Sequence, residues 1–252
     1  MAQPNHKVML VTGGSRGIGA ATALLAARQG YAVAVNFTAN SLAADEVVRQ
    51  IRAQGGTAIT VKADVAQEAE VLAMFEKVDA KLGTLSALVN NAGVVDVAQR
   101  LDEMSFARLQ RMFNINVLGS FLCAREAVRR MSTRHGGSGG SIVNVSSAAS
   151  RLGAPGQYVD YAAAKGAIDT MTLGLAKEVA AEGIRVNAVR PGLIETDIHA
   201  SGGLPDRVRD LAHMVPMQRG GSAEEVAEVI VWLLSPAASY TTMSLIDVSG
   251  GR

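Results

Sequence analysis

Residues 7–30 read KVMLVTGGSRGIGAATALLAARQG. The apolar run at 7–11 predicts a short buried strand. TGGSRGIG follows at once, from Thr12 to Gly19, and a helix is expected over 18–29, closed by Gly30. A strand, a glycine loop and a helix N-terminus in that order form a cradle for phosphate. Glycines let the backbone approach, and the first N–H groups of the helix face the anion's charge. The glycines stand at Gly13, Gly17 and Gly19, which is not the generic G-x-G-x-x-G spacing.

Working outward, the same alternation repeats. Strands are expected at 32–37, 57–62 and 85–89, with helices at 41–54 and 67–82 between them. The third helix carries Val71, Leu72, Phe75 and Val78 at helical spacing. Strand and helix in turn predict a parallel, doubly wound α/β sheet. A long helical region at 105–131 is apolar on several sides, through Phe106, Leu109, Phe113, Leu118, Phe121 and Leu122. That is more apolar surface than covering one sheet face requires. The run at 136–141, GGSGGS, reads as a flexible turn too short for a linker. Further strands are expected at 184–189 and 244–248. A short helix at 206–214 and a capped helix at 222–234 complete the chain, which reads as a single domain over 1–252.

A second stretch carries the chemistry. Residues 141–165 read SIVNVSSAASRLGAPGQYVDYAAAK, a buried strand, two serines, a loop and a helix starting near Tyr158. Tyr161 and Lys165 are four apart and share a helix face. A tyrosine near pKa 10 must fall by about three units, about 4 kcal/mol, to trade protons near neutrality, and an ammonium supplies part of that. Ser147 is placed to bond the same substrate oxygen. Tyr-x-x-x-Lys alone is common, so the rest of the chain decides its meaning.

Composition bounds the alternatives. The chain has 252 residues, 48% of them hydrophobic, with 26 glycines and 6 prolines, which suits a globular fold. A net charge of +1 gives no footprint for nucleic acid or an anionic membrane. No apolar run reaches transmembrane length, and the polar opening MAQPNHK predicts no signal peptide. Cys123 excludes an internal disulfide and reads as a buried thiol. His6, His135, His199 and His213 show no metal spacing and read as surface residues, so no metal is expected. A cytoplasmic location follows from these readings.

Together the residues resemble the classical short-chain dehydrogenases/reductases over essentially the whole length. The resemblance rests on Thr12-Gly13 with Gly17 and Gly19, Asp64, Asn90-Asn91-Ala92-Gly93, Asn116, Ser147, Tyr161-x-x-x-Lys165 and Pro191-Gly192. It accounts for the glycine spacing, since that family uses T-G-x-x-x-G-x-G. It implies a Rossmann-like sheet of about seven strands, a nicotinamide cofactor and a homotetramer. It also implies that Asn116, Ser147, Tyr161 and Lys165 form a catalytic tetrad. Tyr161 would be the acid/base between carbonyl and alcohol, and Ser147 would hold the oxygen. Lys165 would bind the ribose and lower the tyrosine's pKa, and Asn116 would position a water.

For the cofactor, the resemblance implies contacts from the loop residues Thr12, Gly13, Ser15, Arg16, Gly17, Ile18 and Gly19. Asp64 and Val65 would meet the adenine, and Asn90, Ala92 and Gly93 the ribose side. Pro191, Gly192, Ile194 and Thr196 would reach the carboxamide and phosphates. The second strand ends Asn36-Phe37-Thr38, and the next acid is Asp45, inside the following helix. An acid there would repel a 2′-phosphate. Asn36 and Thr38 can donate to one and Arg16 can offset its charge, so NADP(H) is expected over NAD(H). Ser147, Tyr158, Tyr161 and Leu193 are expected at a small-molecule carbonyl or alcohol substrate. Val94, Val95, Ala149, Leu152, Ile198 and a flap at 204–217 would wall the cleft, and Arg207 and Arg209 lie on a helix face that is either solvated or turned to an anion.

Two departures from the family pattern stand out. Ser147 and Tyr161 are fourteen apart rather than thirteen, and Met243 replaces a common glycine before the last strand. Two other functions compete: an enoyl reductase of the same fold, pairing Tyr158 with Lys165, and a non-catalytic dinucleotide sensor.

Overall fold

The computed structural model describes residues 7–252, apart from the side chains of His199 and Ser201. The opening segment with His6, and the His199 side chain, lie outside the described residues. In chain order the elements are β1 Val8–Val11, α1 Gly17–Arg28, β2 Ala32–Phe37, α2 Ser41–Ala53, β3 Ala58–Lys62, α3 Glu68–Leu82 and β4 Leu85–Asn90. Then come α4 Phe106–Phe113, a π-turn Asn114–Leu118, α5 Gly119–Met131, β5 Gly140–Val145, α6 Ala149–Leu152 and α7 Val159–Val179. The chain ends with β6 Ile184–Pro191, α8 Ile198–Ser201, α9 Arg207–Leu211, α10 Ala223–Leu234 and β7 Leu245–Val248.

The seven strands form one parallel sheet in the order β3-β2-β1-β4-β5-β6-β7. Because side chains alternate across a strand, Met9 and Val11 face one layer while Val8 and Leu10 face the other. The first layer gathers Ala23 and Ala26 of α1, Val47 and Ile51 of α2, and Val226 and Ile230 of α10. The second gathers Val71 and Phe75 of α3, Cys123 and Ala127 of α5, and Ala176 of α7. Both faces being covered explains why the strands read as continuous apolar runs. Strand order reverses between β1 and β4, so a crevice opens beyond their carboxyl ends, where open α/β sheets bind ligands.

Several sequence expectations need correction. The region at 105–131 is helical throughout, as expected, but with a π-helical segment at Asn114–Leu118 between α4 and α5. The glycine run at 136–141 is not a loose turn. Gly139 is left-handed at φ +83°, and a Cβ on Gly140 would stand 2.6 Å from the Met131 sulfur. These glycines are there because the backbone packs against α5 and the start of β6. Ser222 caps α10 with Glu225 in a full capping box. Met243 sits at φ +64°, a left-handed conformation that glycine adopts without strain. The departure from glycine is thus a local backbone penalty on a partly exposed residue. Cys123 is fully buried, and burial pushes its thiol up to about 12. His135 and His213 are exposed. No helix among the described residues is long and apolar enough to cross a membrane.

Candidate active site

The glycine loop builds one end of the crevice. Gly13 and Gly17 are left-handed, at φ +59° and +52°. A Cβ on Gly19 would collide with the Gly13 carbonyl oxygen, so the loop folds back on its own helix only with glycine there. Asn91 holds the loop in place, its amide donating to the carbonyls of Thr12 and Gly13 at 2.9 and 3.0 Å. No side chain caps α1, so its first N–H groups face the crevice with no side-chain partner. An anion at that end meets backbone donors and the exposed Arg16 guanidinium.

The other end is built by β5 and α7. β5 ends at Val145, Ser146 and Ser147 follow, and α7 returns over them. Lys165 is buried at 4% exposure, its Nζ donating to the Val145 carbonyl at 2.8 Å. The Ser146 hydroxyl donates to the Lys165 carbonyl at 3.1 Å, tying α7 to the strand end. Lys165 Nζ lies 5.5 Å from the centre of the Tyr161 ring. Burial lowers Lys165 to about 8, against the opposing pull of the Asp169 carboxylate. Ser147 stands beside the Tyr161 hydroxyl. Burial raises that hydroxyl to about 12, the neighbouring Ser147 acting the other way. This departs from the expected lowering by Lys165. Desolvation of the phenolate outweighs the other influences.

One cavity of about 980 Å³ joins the two ends. At the glycine end it is lined by Gly13, Ser15, Arg16, Gly17 and Ile18, with Phe37, Thr38, Asp64 and Val65 beyond them. Ala92, Gly93, Pro191, Gly192, Ile194 and Thr196 line its middle. Ser147, Tyr158, Tyr161, Lys165 and Leu193 line the far end, among the expected walls Val94, Val95, Ala149, Leu152 and Ile198.

Five expected site residues stand behind the wall instead. Asn36 is buried, donating to the carbonyls of Val61 and Ala63 and accepting from Gly13 N. Its amide is spent on the sheet and does not reach a ligand. The Thr12 hydroxyl is used by Val89, Asn91 and Ala92. Gly19 acts through close backbone packing. Asn90 donates to Asn144 and Ser120. Asn116 is fully buried, its amide accepting from Val94 N at 3.1 Å and donating to the Val94 and Met112 carbonyls at 3.0 Å. It staples the loop after β4 to the π-turn. It still abuts the site: a Cβ on Gly93 would stand 2.7 Å from Asn116 Oδ1 and 3.5 Å from Lys165 Nζ.

The extra residue between Ser147 and Tyr161 is absorbed by α6 and a loop with Gly153, Ala154 and Gly156 all left-handed, at φ +74°, +44° and +69°. Ser147 and Tyr161 still line the same end of the cavity. Tyr158 is buried at 6% exposure, its hydroxyl 3.4 Å from the Gly202 carbonyl and its pKa raised by burial.

Sequence reasoning missed a buried ion pair beneath this site. Arg108 of α4 meets Asp160 at 2.8 Å, with side-chain exposures of 8% and 0%. Arg108 also donates to Val97 O and Gln99 Oε1, and Asp160 accepts from Tyr161 N at 2.9 Å. The pair thereby clamps the loop after β4 to the start of α7. Its members are 52 positions apart, and no local pattern marks them.

A family model described as enoyl-(acyl carrier protein) reductase matches residues 13–252. The Escherichia coli K12 protein named uncharacterized oxidoreductase YgfF is 58% identical, over 97% of this chain and 99% of its own. Cis-4-hydroxycyclohexanecarboxylate dehydrogenase of Sinomonas cyclohexanicum is 42% identical, over 98% of this chain and 96% of its own. Among solved structures, a short-chain dehydrogenase/reductase of Serratia marcescens, a double mutant, superposes with TM-score 0.90 at 32% identity, covering 97% of both chains. The chain belongs to the short-chain dehydrogenase/reductase family and is an oxidoreductase acting between CH–OH and C=O groups. That family uses NAD(P)(H).

Proposed function

We propose that the protein is an NADP(H)-dependent oxidoreductase that interconverts a carbonyl and a secondary alcohol, with Tyr161 as the acid/base. The observation that carries this is the trio at the end of β5: Ser147, Tyr161 and Lys165 line one end of the cavity together, with the Lys165 ammonium 5.5 Å from the Tyr161 ring centre. The dinucleotide fits the cavity. The left-handed Gly13 and Gly17 line its loop end, and the uncapped N-terminus of α1 offers donors to a pyrophosphate. Gly13, Ser15, Arg16, Gly17 and Ile18 would hold the phosphates, Asp64 and Val65 the adenine, and Ala92, Gly93, Ile194 and Thr196 the nicotinamide half.

The nicotinamide supplies or accepts the hydride. The protein's own groups handle the proton. A hydroxyl with a pKa raised to about 12 is protonated at neutrality, so Tyr161 stands ready as a proton donor to a carbonyl oxygen. Ser147 would hold that oxygen by a second hydrogen bond. As the proton leaves, charge develops on the phenol, and the buried Lys165 ammonium stabilises it in a medium that screens little. Asn116 and the Arg108–Asp160 pair act indirectly by fixing the loop after β4 and the start of α7.

The NADP(H) preference now rests on Arg16 and Thr38, both exposed at the mouth, with no carboxylate before Asp45. The description of the family model raises the enoyl-reductase reading. Against it, the Tyr158 hydroxyl is buried against Gly202 while Tyr161 stands beside Ser147. A cytoplasmic homotetramer is part of the proposal. Phe113, Leu118 and Phe121 are 38%, 53% and 48% exposed around the π-turn, an apolar surface suited to a second subunit.

The test is a panel of ketones and secondary alcohols followed by nicotinamide absorbance, with both cofactors. Turnover with a higher specificity constant for NADPH supports the reading. Absence of turnover across the panel favours the sensor.

A further inference from the structure

α9 carries two arginines that its sequence alone does not distinguish. The structure separates them. Arg209 points outward at 72% exposure and is paired with Asp206 and Asp210. Arg207 turns into the cavity and lies over the Tyr158 ring, 5.3 Å from its centre. Among the described residues it has no carboxylate partner.

Arg252 lines the same end of the cavity. Its guanidinium is held below its ordinary pKa by burial and by the neighbouring charge of Arg207. Two like charges therefore line the same cavity and repel one another. A third arginine there, Arg111, is already offset by Asp96 at 3.3 Å. Arranging two cations side by side at a partly buried site is costly unless an anion joins them. Planar guanidinium groups match the oxygens of a carboxylate or phosphate by paired hydrogen bonds. Tyr158 is the N-cap of α7, three positions before Tyr161, and both line the cavity, so a charge held over its ring sits at the same end as the proposed reaction site.

We propose that the substrate end takes a small carbonyl or alcohol compound bearing an oxyanion, a carboxylate or a phosphate, held by Arg207 with Arg252 beside it. This rests on reading the cavity as a carbonyl/alcohol site. Apolar Val95, Leu152 and Leu193 stand there too, beside polar Gln157 and Asp197, which suits a short carbon skeleton between the reacting carbon and the charge.

The test is calorimetric titration of the NADP-loaded enzyme with two matched pairs. One is 4-oxopentanoate and its methyl ester. The other is dihydroxyacetone phosphate and dihydroxyacetone. At least one anion should bind about tenfold or more tighter than its neutral partner, and which pair shows it identifies carboxylate or phosphate. Arg207→Gln should bring that anion within about twofold of the neutral compound, with NADPH affinity unchanged as the check on folding. Arg209→Gln should leave the preference intact. Equal affinities within both pairs, no binding of any probe, or a preference that survives both Arg207→Gln and Arg252→Gln overturns the proposal. Selective anion binding without reduction of any ketone leaves this site standing and counts against the proposed NADP(H)-dependent carbonyl chemistry at Tyr161. Reduction of ketones without anion selectivity does the reverse.

Discussion

Asp160→Asn is the sharpest test of how the active-site helix is held. The substitution keeps an oxygen that can accept from Tyr161 N, at 2.9 Å in the native protein, and it changes little volume. What it removes is the charge facing Arg108 at 2.8 Å, where both side chains are almost wholly buried. Breaking such a pair from one side leaves an uncompensated buried charge and costs about 3–5 kcal/mol. In a chain of this size each kcal/mol moves Tm by about 2–4 °C, so a fall of about 6–20 °C is expected. Arg108→Met alone should cost a similar amount, because it strands the Asp160 carboxylate. The double variant should lose clearly less than the sum of the singles, since no charge is then left alone. Thermal and urea unfolding of the four proteins reads this directly. Single variants within about 1 kcal/mol of the native protein, or strict additivity, would refute the clamp.

Other outcomes follow from the same site. Arg16→Ala should lower kcat/KM with NADPH more than with NADH; an equal loss with both cofactors counts against a 2′-phosphate contact. The rate constant for carbonyl reduction should fall as pH rises through about 8, where buried Lys165 loses the proton that supports the departing charge on Tyr161. A flat profile from pH 7 to about pH 10 contradicts that role. The same shift makes the folded protein bind fewer protons than the unfolded chain between pH 8 and 10.5, so the contribution of Lys165 to stability rises with pH across that window. Tyr161 works oppositely: raised from 10.0 to about 12, it contributes stability that is full below pH 10 and lost toward pH 12. Light scattering at micromolar concentration should give four times the chain mass, and a monomer would remove the assembly proposal.

The fold was largely legible because its signals are local. Apolar runs, glycine stops and helical periodicity placed every strand within a residue or two, and the capped start of α10 at Ser222 was read correctly. The site was legible in part. Ser147, Tyr161 and Lys165 lie within one strand–loop–helix stretch, so their meeting follows from short-range geometry. The role of Asn36 was not legible. As a polar residue at the end of β2 it invited a ligand, yet the pleat turns it inward, where β3 and the glycine loop take all its bonds. The bonding of Asn116 was hidden for a related reason. The π-turn rotates its amide toward Val94, and a π-turn leaves no mark in hydrophobic periodicity. Arg108 with Asp160, and Arg207 with Arg252, depend on contacts between distant parts of the chain. The direction of the Tyr161 shift needed the degree of burial, which spacing alone does not provide.

The central claim is that Tyr161, and not Tyr158, moves the proton. Tyr161→Phe removes the hydroxyl beside Ser147 with little loss of volume, so fold and NADPH binding should be retained. Tyr158→Phe removes only a hydroxyl 3.4 Å from the Gly202 carbonyl. The measurement is kcat for ketone reduction by both variants, with NADPH affinity as the control. For Tyr161→Phe the account predicts a loss of about a hundredfold or more, as for removal of a general acid. For Tyr158→Phe it predicts a kcat within a few fold of native and a change mainly in KM. An active Tyr161→Phe beside an inactive Tyr158→Phe would contradict the account and return the enoyl-reductase reading to first place.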